Sequence, residues 1–128
     1  MSVTLTFAAP PPGLEPLVDF TLDPVAGADG LYRLQSVAGA DRRLYVLDAS
    51  VYLPDYAPLL SDEQCTVLAL DTPEQAQVLV VANFGERTTT VNLMAPIVVN
   101  NSTRRCSQVI LDGQGWPLRG DLAELTSP

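Results

Sequence analysis

Residues that could perform acid–base or nucleophilic chemistry are scarce in this sequence. The chain of 128 residues contains no histidine and two cysteines, Cys65 and Cys106. Without an imidazole there is no Ser-His or Cys-His pair to activate a nucleophile, and no histidine to bind a metal ion. Carboxylates remain, but no pair of them lies in a recognisable catalytic motif. We therefore expect a protein that is not an enzyme, with no catalytic residue, no metal site and no cofactor.

The two cysteines are expected to be structural. Each lies in an apolar, strand-like run, and their spacing matches neither a metal site nor a disulfide-rich framework. Because cysteine is among the residue types most often found buried, we predict that both are reduced thiols in the core.

The charge balance is strongly acidic. Fifteen Asp and Glu residues face seven Lys and Arg residues, for a formal net charge of -8. Such a surface repels phosphate backbones, so direct binding of nucleic acid is not expected and a basic protein is the natural partner. The chain has no Lys or Arg between Arg43 and Arg87. The acidic residues within this span have two interpretations, a solvated face or a partner-binding surface. These residues are Asp48, Asp55, Asp62, Glu63, Asp71 and Glu74.

Length and hydropathy indicate one globular domain, residues 1–128. With 47% hydrophobic and 17% charged residues, the chain is too apolar for intrinsic disorder. Its first residues lack the basic start and apolar run of a secretory signal, and no run of about 18 apolar residues could cross a bilayer. We expect a cytoplasmic protein that does not bind membranes. Nothing suggests an obligate dimer, so we expect a monomer when it is free.

Strand patterns dominate the chain. About nine short runs alternate or are rich in β-branched residues, including 17–22, 65–70 and 77–84, and no helical period is sustained. The runs 31–37 and 42–48 flank a short loop and predict a hairpin. This pattern predicts a mainly β fold: a small closed antiparallel β-barrel or a tightly packed sandwich, with at most one or two short helices.

The segment "YLPDYAPLLSDEQ" is one place where a helix is expected, and the only other place where one could start is the tail, after Gly120. Pro54 and Pro58 exclude a long helix, but Ser61 is a good N-cap for a short one at about 61–65. Tyr52, Pro54 and Tyr56 have two interpretations: a partner-facing loop with aromatic anchors, or a proline turn whose tyrosines cover the core.

The stretch "NLMAPIVVNNSTRRCSQVIL", residues 92–111, is interrupted by Pro96. Since proline cannot donate to a β-ladder, we expect the chain to turn a corner at Ala95–Pro96 and pass from one sheet to the next. Alternation along the strand places about half of its residues in the core. Two interpretations stay open for the other half, a structural role or an exposed apolar strip or free edge for a partner, and the candidates are Asn92, Pro96, Ile97, Val98 and Asn100.

This stretch, with "YRLQSV" before it and "LPDY" between them, resembles the FliW family of flagellar assembly factors. The shared pattern is Asn-Leu-x-Ala-Pro-Ile-x-x-Asn, a basic turn and Gln-Val-Ile-Leu, and the resemblance covers about residues 31–112. The start departs from the family pattern, since "FAAPPPGLEPLVDF" keeps only Gly13-Leu14-Glu15 of its usual turn.

The resemblance implies a small barrel-like protein that binds flagellin in the cytoplasm as a chaperone-like partner. When flagellin is exported, such proteins bind CsrA, a basic RNA-binding homodimer that represses translation. On this basis the six acidic residues above are the candidate CsrA-binding residues. The candidate flagellin-binding residues are Tyr52, Pro54, Tyr56, Asn92, Pro96, Ile97, Val98 and Asn100. An alternative is a small barrel that binds an apolar small molecule, which would require an interior cavity.

Overall fold

The computed structural model describes residues 3–10, 14–38, 43–53, 56–111 and 113–123. Within these ranges it contains nine β-strands, two short α-helices and one turn of 3-10 helix at Pro73–Gln75. The strands are β1 (Val3–Phe7), β2 (Asp19–Pro24), β3 (Leu31–Ser36), β4 (Arg43–Asp48), β5 (Ala76–Phe84), β6 (Thr89–Val91), β7 (Ile97–Asn100), β8 (Arg105–Gln108) and β9 (Gly120–Asp121). The helices are α1 (Ala49–Tyr52) and α2 (Asp62–Val67).

Seven of these strands close into a barrel, in the order β4-β3-β2-β1-β8-β7-β5 with β5 paired back to β4. The mainly β, barrel-like prediction is confirmed. Every pair is antiparallel except β1–β8, which is parallel. A ring of seven strands cannot alternate direction throughout, because an odd number of antiparallel neighbours does not close. The parallel pair lies where the first strand of the chain completes the ring.

The predicted hairpin is present as β3 and β4, with Leu34 opposite Leu44. The turn that leads into it needs a glycine at Gly30, whose φ is +83°. A Cβ atom there would also lie 3.0 Å from side-chain atoms of Val51 and Tyr52. The close approach of α1 to this turn therefore depends on a missing side chain.

The barrel interior is filled by side chains. Leu34, Val46 and Leu79 are fully buried there, and the rings of Phe7 and Phe20 meet edge to face with centroids 5.2 Å apart. An eight-strand barrel is just wide enough for side chains to fill its interior, and this barrel is smaller. The packing favours a domain that acts through its surface over one that holds a ligand inside.

Residues 56–75 cross the outside of the barrel, and we call them the outer segment. Leu68 in this segment is fully buried and packs with Val98, Val109 and Leu111. The segment thus builds an apolar cluster outside the barrel, on the outer face of β7 and on the chain that follows β8. None of the helices in the described ranges is both long enough and apolar enough to span a membrane.

Helix α2 begins where the sequence predicts. The Ser61 hydroxyl accepts from the Gln64 amide at 3.1 Å, and the Gln64 side chain accepts from the Ser61 amide at 2.9 Å. This reciprocal capping box fixes the first turn. The prediction of a strand at 65–70 is wrong, because Cys65–Val67 continue the helix and the Leu68 amide donates to the carbonyl of Gln64.

The corner predicted at Pro96 takes a different form. Strands β6 and β7 stay on the same edge of β5, with Val91 opposite Ala82 and Ile97 opposite Leu79. Residues 92–96 loop out between these two ladders, so the chain breaks at the proline but does not cross to another sheet. The bend instead lets β6 pair with β9 while β7 pairs with β8.

Candidate partner-binding surface

The apolar strip predicted along 96–100 is buried. Ile97 and Val98 are completely inaccessible to solvent, Pro96 is buried, and Asn100 is 1% exposed. Ile97 points into the barrel, whereas Val98 points outward and is covered by Leu68 of the outer segment. Strand β7 is also paired on both edges, to β5 and β8. The interpretation of these residues as an exposed strip or free edge is therefore wrong.

The two asparagines of this stretch stabilise the backbone. The Asn92 side-chain oxygen accepts from the amides of Met94 and Ala95 at 3.1 and 3.0 Å, which holds the loop before Pro96. The Asn100 amide nitrogen donates to the carbonyls of Leu68 and Ala69 at 2.8 and 3.2 Å. Asn100 therefore ties the outer segment to β7, and its buried side chain is not available to a partner.

The tyrosines near the proline turn cover the core. Tyr52 is half-buried against the apolar cluster around Leu47 and Leu53. The Tyr56 hydroxyl donates to the carbonyl of Leu93, and its ring packs edge to face on Trp116 with centroids 4.7 Å apart. Burial raises the pKa of Tyr56 well above its usual value. Between the two tyrosines, Pro54 and Asp55 lie outside the described residues.

The acidic candidates divide into one structural residue and four surface residues. Asp48 caps α1, since one carboxylate oxygen accepts from the Ser50 amide at 2.9 Å and the other accepts from the Gln77 side chain at 3.1 Å. The other four described candidates are exposed, and all lie on the outer segment: Asp62, Glu63, Asp71 and Glu74. The outer segment carries no Lys or Arg to neutralise them.

A groove runs between the outer segment and the outer face of β5, and the sequence did not point to it. It encloses about 390 Å³ and is mostly apolar, with Asp71 and Thr72 at one side. We define the apolar groove by Pro58, Leu59, Leu60, Cys65, Leu70, Ala76 and Val78. A smaller hollow of about 200 Å³ shares Pro58, Ala76 and Val78 and extends the groove toward Leu53 and Tyr56.

The groove is open because its apolar wall is only partly covered. Leu59 is 71% exposed, the highest value among the exposed large apolar side chains of the described residues. The Gln114 side chain fixes the backbone of Leu59 by donating to its carbonyl at 2.8 Å and accepting from its amide at 3.0 Å. The sequence feature that could have indicated this groove is a pair of leucines, Leu59 and Leu60, in a loop too rich in proline for a helix.

The two thiols have different environments. Cys106 is completely buried in the barrel, as predicted, and burial raises the pKa of its thiol to about 12. Cys65 is only half-buried and lines the apolar groove, so its assignment to the core is wrong. Both are free thiols. Within the described ranges, no cluster of three or more His, Cys, Asp or Glu residues could hold a metal ion.

Comparison with known proteins identifies the family to which this chain is related. The family model described as "FliW protein" matches residues 2–122. The chain belongs to the FliW family. A curated FliW-family relative from Exiguobacterium sp., a flagellar assembly factor, is 32% identical over 127 residues, covering 95% of this chain and 88% of the relative. The crystal structure of a flagellar assembly factor FliW superposes with a TM-score of 0.86 at 26% identity, covering 93% of this chain and 84% of that one.

This chain matches less than two thirds of the length of several other FliW relatives. The flagellar assembly factor FliW of Desulfitobacterium hafniense is 38% identical over 91 residues, which are 70% of this chain and 60% of the relative. The counterpart from Syntrophus aciditrophicus is 31% identical over 90 residues, 57% of its length. The resemblance seen at residues 31–112 is therefore confirmed at the level of the family.

Proposed function

We propose that this protein binds flagellin in the cytoplasm as a chaperone-like partner and, when free of flagellin, binds and antagonises the translational repressor CsrA. Flagellin synthesis would then follow flagellin export. Membership of a family of flagellar assembly factors carries the proposal. The filled barrel interior supports the proposal, because a domain whose interior is occupied by side chains binds its partners through its outer surface.

The acidic face of the outer segment is the proposed CsrA-binding surface. Its four exposed carboxylates stand on a chain with a net charge of -8, and CsrA is basic. Complementary potentials of this kind raise the rate of encounter and disfavour wrong partners. Asp48 is left out of this surface, because its carboxylate is engaged in capping α1.

Reversing the charge of Asp62 and Glu63 together tests this surface. We expect Asp62→Lys with Glu63→Lys to lower the association rate constant for CsrA about tenfold at low salt, since exposed charges act mainly on encounter. The loss of two acids from the first turn of α2 should cost about 0.5 to 1 kcal/mol of stability. Stopped-flow kinetics at low and high salt measures the effect, which should shrink as salt screens the charges.

The control for this experiment is a double variant with the same change in net charge at exposed acids outside the outer segment, Asp29→Lys with Glu86→Lys. The control should slow association less. An equal slowing in both variants would mean that only the total charge matters and that the acidic face is not the binding surface.

The apolar groove is the proposed site for flagellin. An apolar segment of flagellin can cover Leu59, Leu60 and Leu70, which are otherwise partly open to water. This site replaces the buried strip of β7 that the sequence suggested. Because the groove and the acidic face both lie on the outer segment, binding of one partner can interfere with binding of the other.

Leu59 offers the cleanest test of the groove. We expect Leu59→Glu to weaken flagellin binding about tenfold, because burying an unpaired carboxylate opposes binding while a side chain that is 71% exposed contributes little to folding. Leu118→Glu is the matched control, since Leu118 is 57% exposed and does not line the groove. Calorimetric titration with flagellin compares the two variants. Equal affinities would place the flagellin site elsewhere.

A further inference from the structure

Among the described residues, strand β8 has a paired neighbour along only part of the edge that faces β1. Strand β1 pairs with it at Thr6–Arg105 and Phe7–Cys106, and the pairing ends with a bond of 2.8 Å from the Ala8 amide to the Cys106 carbonyl. In the described part of the chain, residues after Ala8 make no further pairing with β8. The edge of the barrel is therefore interrupted just beyond Cys106.

The backbone groups of Gln108 and Ile110 point to the side where the pairing with β1 has ended. The amides of Val109 and Leu111 donate to the carbonyls of Pro96 and Met94, at 2.9 and 2.8 Å. Because backbone groups alternate in direction along an antiparallel ladder, those of Gln108 and Ile110 point the other way, to the open side. Among the described residues, none bonds to the Gln108 backbone or the Ile110 amide on that side. The Ile110 carbonyl accepts one long bond, 3.4 Å, from the Gln64 side chain.

A cleft of about 310 Å³ separates this edge from α2. Its walls are Ser107–Ile110 on one side and residues of α2, including Glu63 and Val67, on the other. Val67 and Ile110 are large apolar residues that remain 43% and 46% exposed. The cleft thus combines unpaired backbone donors and acceptors, apolar surface and a carboxylate.

We propose that the edge at Gln108–Ile110 accepts an extended segment of a basic protein partner as an added strand. The segment would extend the ladder of backbone hydrogen bonds beyond the point where the pairing of β1 with β8 ends. Its backbone would bond to Gln108 and Ile110. Successive side chains of a strand point to opposite faces, so one would meet Val67 and Glu63 and the next would meet Ile110. The carboxylates of Asp62 and Glu63 select a segment that carries Lys or Arg beside its apolar residues.

The inference rests on the proposed function in one respect, that CsrA is the basic partner. Amide hydrogen exchange followed by NMR tests it on the intact chain, with and without CsrA. The amides of Gln108 and Ile110 should exchange at least about tenfold more slowly in the complex, since each becomes hydrogen-bonded. Binding without this protection would overturn the added strand and leave the proposed function standing. No binding at all would overturn both.

A pair of variants at one position separates the backbone bond from the apolar contact. Ile110→Pro replaces the side chain and removes an outward amide, and proline is tolerated at strand edges whose N–H faces away from the sheet. Ile110→Ala keeps the amide and trims the side chain. We expect CsrA affinity to fall about tenfold further in Ile110→Pro than in Ile110→Ala, at similar melting temperatures.

Equal affinities of the two folded variants would overturn the proposal. Protection of the Gln108 and Ile110 amides in the protein alone, increasing with its concentration, would also overturn it, because a second copy of this chain would then be the occupant. If the proline variant does not fold, the exchange measurement on the unmodified chain decides.

Discussion

Val98→Asp is expected to leave the chain without a stable fold. Val98 is completely buried and packs in an apolar cluster with Leu68, Val109 and Leu111. A carboxylate there must either stay charged without a partner or take up a proton to become neutral, and both cost free energy. We expect a loss of about 4 to 5 kcal/mol or more, comparable to the whole stability of many small domains. Circular dichroism and thermal melts measure the result.

The control for this substitution is Val37→Asp. Val37 is 58% exposed, so the same chemical change should move the stability by about 0.5 kcal/mol or less. A Val98→Asp protein that melts near the temperature of the unmodified chain would show that residue 98 reaches solvent. The exposed-strip interpretation of β7 would then return, with flagellin binding as its next test.

Asn100→Ala should detach the outer segment from the barrel. The side chain of Asn100 donates to the carbonyls of Leu68 and Ala69, and its oxygen accepts from the amides of Ser102 and Thr103 at 2.8 and 3.2 Å. Alanine would leave the buried carbonyl of Leu68 without this donor, and an unsatisfied buried group costs about 1 to 3 kcal/mol. With the turn bonds also lost, we expect a decrease of about 3 kcal/mol in the free energy of unfolding.

Urea unfolding measures this loss, and the neighbouring Asn101→Ala is the matched control. Asn101 is exposed, and its bond to the outer segment uses the backbone amide, which donates to the Gln75 carbonyl at 2.8 Å. That substitution should change the stability by about 0.5 kcal/mol or less. Similar losses in both variants would mean that the buried amide of Asn100 does not anchor the segment.

The sequence predicts the barrel because its strands and its helix start are determined by interactions between residues close together in the chain. Alternation at 31–37 and 42–48 gave the hairpin, and Ser61 gave the start of α2, because a strand face and a helix cap each depend on a few neighbouring residues. It could not indicate that the ring holds seven strands, since closure depends on how distant strands pair. An odd ring requires at least one parallel pair, but that this pair is β1–β8 depends on the same long-range pairing.

The burial of β7 shows where a single pattern is insufficient. Alternation separates Ile97 and Val99 from Val98 and Asn100 but does not reveal that both faces are covered. The cover over Val98 comes from Leu68, thirty residues earlier, in a run whose β-branched and apolar residues predict a strand. The apolar groove was missed for the same reason, as its walls come from separate parts of the chain.

Calorimetric titration of this protein with the flagellin and the CsrA encoded by the same genome tests whether the two partners exchange on it. Each partner is titrated alone, and CsrA is then titrated into the flagellin complex. We expect saturable binding of both partners and loss of the CsrA signal when flagellin is already bound. Absence of binding to either partner would contradict this expectation, leaving a FliW-family fold with a different ligand.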